Sequence, residues 1–325
     1  MLTLPLMLFI VLIELCVGQY TVMYVLDMRH AVKRSFLVLY AFIYLFLAGL
    51  TYLFQQGFAS PDLLNTFQLL DHHWTGSLSL PVLLFMLLLI PYILCLLLDR
   101  NAGIANDGTQ AQDQKRPVTV IFLLRMISGG LAVLAGVSAL FVVGMIYHPL
   151  GGPGASSALA IAGFFAAALA LGGVMTAMWL GHWYLVTPAM TEKPLLLCTT
   201  LVLIGVLCQV MFFLGSGASI APVQATGVPH PTPLVSTSPS VNSSNHGAVT
   251  VKPADVPTVT PLGTGAIGWL RIIVGFAIPL VLGTLTWKLV RDRSFQSATG
   301  MLYLIVVCTL AGEILARGLF LSSLY

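Results

Sequence analysis

Charge is what this chain has least of. Of its 325 residues only 8% are Asp, Glu, Lys or Arg, while 58% are hydrophobic. A soluble domain carries about 25% charged residues. A water-facing surface cannot be built from this composition, because so much apolar area cannot be hidden in one core. Strongly basic or acidic faces are also missing, since the formal net charge is only +3, which argues against nucleic-acid partners. No cysteine pair has C-x-x-C spacing. The five cysteines, Cys16, Cys95, Cys198, Cys208 and Cys308, all lie inside apolar runs, which excludes a disulfide framework or a zinc site. There is no G-x-x-x-x-G-K-[ST], H-E-x-x-H or G-x-S-x-G segment, so neither a nucleotide-driven pump nor a hydrolase is expected.

What is present is a series of long apolar runs. A membrane-crossing helix needs about 20 of these residues. Eight stretches qualify, at about 2–26, 35–55, 79–98, 118–147, 156–187, 195–216, 264–288 and 298–322. They are too long and continuous for barrel strands, which leaves a polytopic, all-α transmembrane helix bundle. The first run lacks a basic lead-in and a cleavage site, so it reads as a retained helix. Ten basic residues fall in alternate connections: Arg29, Lys33, Arg34, Arg100, Lys115, Arg116, Lys193, Lys288, Arg291 and Arg293. The opposite connections hold only Lys252. Basic residues stay cytoplasmic, so both termini are expected outside. Residues 217–263, rich in Pro, Ser, Thr and Val, read as a disordered outer loop dividing spans one to six (1–216) from spans seven and eight (264–325). The expected location is a cell membrane, taken as a bacterial inner membrane.

Ionisable side chains at membrane depth cost about 2.5–3.5 kcal/mol each on insertion scales and point to function. Five qualify: Glu14, Arg125, Arg271, Glu313 and Arg317. Glu14 has no nearby charge in sequence, so its partner must come from another helix. Glu313 and Arg317 share a helix face at i, i+4 and stand among Gly312, Ala316 and Gly318, small residues that admit a close neighbour. A cluster of Arg271, Glu313 and Arg317 with Glu14 beside it is the expected site. The carboxyl groups Glu14 and Glu313 would handle protons, and Arg271 and Arg317 would bind the ligand. The bland alternative is a structural ion pair. Arg125 lies about two turns inside its span, from which depth an arginine snorkels to the interface.

Span five ends in Trp179-Leu180-Gly181-His182-Trp183-Tyr184, an aromatic belt, with Gly173, Ala177 and Gly181 forming a small-residue stripe. His182 is a spare candidate, able to bond a quinone carbonyl or relay a proton. The histidines able to share a depth are His30 with His182 and His73 with His148. Haem b is not expected from them, and no metal site is expected. Leu124-Arg125-Met126-Ile127-Ser128-Gly129 and Leu270-Arg271-Ile272-Ile273-Val274-Gly275 look alike, either by chance or as a trace of an inverted repeat.

The last span, with Ser297-Ala298-Thr299-Gly300-Met301-Leu302-Tyr303, Gly312-Glu313, Arg317 and Leu319-Phe320, resembles the closing helix of the membrane-anchor subunits of DMSO-reductase-type complexes, the NrfD-like proteins. The resemblance implies a subunit that exchanges electrons and protons between membrane quinone and a partner subunit carrying iron–sulfur clusters, with Glu313 and Arg317 in the working site. The family's His-Leu-Gly-type segment after an early span is not found here. A proton-coupled or anion secondary transporter, and a non-catalytic assembly protein, are the other readings open.

Overall fold

The computed structural model describes residues 3–99, 102–103, 119–151, 157–187, 190–215 and 264–324. Eight of its helices are long and apolar enough to cross a membrane, and no strand pairs with another among the described residues beyond an isolated bridge between Lys33 and Gly103. The spans are α1 (Thr3–Met28), α2 (Arg34–Phe58), α3 (Ser79–Leu98), α4 (Val120–Tyr147), α5 (Ser157–Val186), α6 (Lys193–Gly215), α7 and α8 (Phe295–Leu321). α7 is built in three pieces, Thr264–Leu270, a π-helical turn Arg271–Ala277, and Ile278–Arg291. The chain is an all-α, multi-pass integral membrane protein. The expected loop over 217–263 lies outside the described residues.

α1 is the central helix. It packs against α2, α4, α5 and α8, and 72% of its most apolar stretch is buried, against 17% for α7 at the periphery. Around α1 the neighbours pair as α3 with α4, α5 with α6, and α8 with both α5 and α7. Close approach comes from glycine. A Cβ at Gly18 would sit 1.9 Å from the Ala168 carbonyl oxygen, and one at Gly172 2.1 Å from the Gly18 carbonyl carbon. α1 and α5 therefore touch backbone to backbone, as small residues allow in lipid. The stripe on α5 is used in the same way: Gly173 faces Val202 and Gly181 faces Thr299.

The π-helical turn in α7 precedes Pro279. Proline has no N–H to give, and its ring clashes with the carbonyl four residues earlier. The ladder widens instead, and Ile278 N–H donates to Ile273 O, five residues back. α7 is thus locally rewound, not broken, and Arg271 stands at the start of that turn.

Candidate functional site

Among the described residues, two groups of ion-paired side chains are buried in the bundle. The first lies between α1, α6 and α8. Arg317 on α8 is its centre. Its Nη2 pairs with Glu14 Oε1 from α1, and its Nε lies 3.0 Å from Glu313 Oε1, one turn earlier on α8. Gln209 on α6 donates from Nε2 to Glu313 Oε2 at 2.9 Å. The guanidinium carbon sits 4.0 Å from the ring centroid of Phe164 on α5. Glu14 is fully buried, and Glu313, Arg317 and Gln209 are nearly so. Glu14 Oε2 and the hydroxyl of Tyr147, whose ring stacks on Phe164, are buried with no hydrogen-bond partner among the described residues.

Arg271 completes this group from α7. Glycine again sets the approach: a Cβ on Gly312 would come 2.3 Å from the Gly275 Cα. α7 and α8 cross there, one residue before Glu313. Arg271 lies one turn from Gly275 on α7. It makes no ion pair within 4.0 Å among the described residues. Its guanidinium carbon instead rests 5.0 Å from the Phe213 ring centroid and 5.4 Å from that of Phe276, while its Nε is buried and unpartnered.

So four of the five expected site residues converge, and the partner Glu14 required is Arg317. His182 does not join them. It is exposed and stands eighteen residues along α5 from Phe164, roughly 27 Å at helical rise. Two of the other described histidines bond local backbone. His72 Nε2 meets Phe67 O at 2.9 Å and His148 Nδ1 meets Met145 O at 2.7 Å. Among the described residues no group of three His, Cys, Asp or Glu side chains could hold a metal ion, and the five cysteines are free.

The second group corrects the reading of Arg125. That side chain is fully buried and ion-paired within the bundle rather than exposed. Its Nη1 lies 2.9 Å from Asp99 Oδ2 and its Nη2 3.4 Å from Asp27 Oδ1. Tyr92 donates its hydroxyl to Asp27 Oδ2 at 3.0 Å, and Tyr20 and Tyr24 reach the α4 carbonyls of Gly129 and Met126. Asp27 lies in the last turn of α1, Asp99 caps α3 and Arg125 lies in the second turn of α4, so this group ties three helices together at the end of the bundle that carries the basic connections. Arg34 extends the tie by donating from Nη2 to Leu97 O at 2.7 Å.

Sequence reasoning missed Gln209, Asp27, Asp99 and Tyr92. For Gln209 the signal was available: a lone amide in an apolar run, the kind of residue that hydrogen-bonds across membrane helices. Asp27 and Asp99 sit at run ends, where they read as loop residues.

Chemically, the first group assembles two carboxylates, two guanidiniums and an amide in a low-dielectric interior. With all four ionised its net charge is zero, so it is sustainable at membrane depth, where unpaired charge is costly. No family model, curated protein or solved structure matches the chain.

Proposed function

We propose that the protein is the membrane subunit of an electron-transfer complex and that it works on quinone at the Glu14–Arg317–Glu313 group. The observation that carries this reading is the convergence of those side chains, with Gln209 and Arg271, at membrane depth in a bundle whose other buried ion-paired group, around Arg125, lies at its basic end. Intramembrane ionisable groups that meet in a bundle interior mark proton relays and ligand sites. Reducing a quinone consumes electrons and protons in equal number. Carboxylates beside the head group supply the protons, and guanidiniums stabilise the charge that develops on its oxygens. The electrons would come from iron–sulfur clusters of a partner subunit, as the likeness of α8 to the closing helix of NrfD-like anchors suggests. A bacterial inner membrane with the basic connections on the cytoplasmic side fits this role. The test is purification in mild detergent: co-purification with a quinone and a coloured redox partner supports the reading, and a colourless protein without either refutes it.

One observation favours a second reading, a proton-coupled secondary transporter. Irregular helix beside an intramembrane charge, as at Arg271–Ala277, is a feature of transport sites. Proton-driven solute uptake into vesicles that is lost in Glu14→Gln would select this reading over the first.

A further inference from the structure

The two arginines of the site are not equivalent. Arg317 has a carboxylate on its Nε edge, another on its Nη2 and a phenyl ring against its face. Taking up a ligand there would require breaking an ion pair buried in the bundle, which is strongly unfavourable. Arg271 has no carboxylate within 4.0 Å among the described residues. Its guanidinium carbon lies 5.0 and 5.4 Å from the ring centroids of Phe213 and Phe276, and its Nε is buried with no hydrogen-bond partner among the described residues.

The direction of Arg271 is fixed by the same crossing that brings α7 to α8. Gly275, one turn along, lies against Gly312. The two helices run in opposite directions, so one turn back from Gly275 corresponds to one turn on from Gly312, at Ala316 and Arg317. Arg271 therefore stands on the side of α7 that meets α8, and its guanidinium carbon lies 5.0 Å from the Phe213 ring centroid on α6. The π-helical turn is what holds it there, since adding one residue to a helical turn shifts the facing of everything before it.

We infer that Arg271 is the residue that binds the ligand, donating from its unpartnered Nε–H to an oxygen acceptor such as a quinone carbonyl, and that Arg317 is a positioning residue that holds the two carboxylates. This assignment rests on the quinone reading above. The rings of Phe213 and Phe276 beside Arg271 meet at 60° with centroids 5.8 Å apart, an aromatic wall on which the ligand's head group packs. The same donor edge would suit a lipid phosphate, so the two sources must be separated.

The experiment is titration calorimetry of the purified full-length protein with a short-chain ubiquinone analogue, alongside the phosphate content of retained lipid. Arg271→Gln is expected to weaken quinone binding at least tenfold with the unfolding midpoint unchanged, and Arg271→Lys to restore part of it. Arg317→Gln is expected to lower the unfolding midpoint. Quinone binding unaltered by Arg271→Gln overturns the assignment, and a fall in retained phosphate with it identifies the occupant as lipid. A wild-type protein that binds no analogue sinks the quinone reading itself.

Discussion

Replacing Arg125 by leucine tests whether the buried group at the basic end holds the bundle together. At 2.9 and 3.4 Å from Asp99 and Asp27, each carboxylate gains about 5 kcal/mol of gross Coulomb attraction at an effective dielectric near 20. Desolvating the three ions costs several kcal/mol apiece, so the group as a whole contributes little net stability. Removing the cation alone is another matter, because both carboxylates are left buried without it. Breaking a buried pair in this way costs about 3–5 kcal/mol. The assay is reversible unfolding in mixed detergent micelles, following helix content. Arg125→Leu should lose that amount. In the cycle with Asp27→Asn, the two changes together should cost less than their sum by about 0.5–3 kcal/mol, because the pair is in contact. A loss under about 1 kcal/mol for Arg125→Leu would mean that the side chain reaches the interface and is solvated there, and the three-helix tie would be refuted.

Three further outcomes are expected. Gly312→Ala places a methyl 2.3 Å from the Gly275 Cα and should cost about 1–3 kcal/mol by overpacking, whereas Gly300→Ala, which meets nothing within 4 Å, should be neutral or stabilise by up to about 1 kcal/mol; equal effects in unfolding titrations would disprove the close crossing. Tyr92→Phe removes the hydroxyl that Asp27 accepts from and should destabilise by about 1.5–3 kcal/mol, as for a hydrogen bond to a charged group. Pro279→Ala restores a backbone donor and should let α7 return to a regular ladder, turning Arg271 away from α8. Weaker quinone-analogue binding without loss of stability is the expected readout, and unchanged binding would separate the π-helical turn from the site.

Hydrophobicity alone determined the class of this protein and the number and limits of its spans, because in lipid every backbone group must be satisfied within the segment. The cost of charge at depth was equally visible, so Glu14, Arg271, Glu313 and Arg317 stood out from the amino acids themselves. Which way each helix faces was not visible. A helix that is apolar all round has no stripe to mark its inner side, and α1 is of this kind; its place at the centre comes from Gly18 meeting Gly172. Only the tertiary structure gave Glu14 its partner 303 residues away, added Gln209, moved Asp27 and Asp99 from loops into a buried tie with Arg125, and set His182 apart. Those outcomes depend on crossings between helices distant in sequence, and the depth of a charge along its own helix says nothing of what lies across from it.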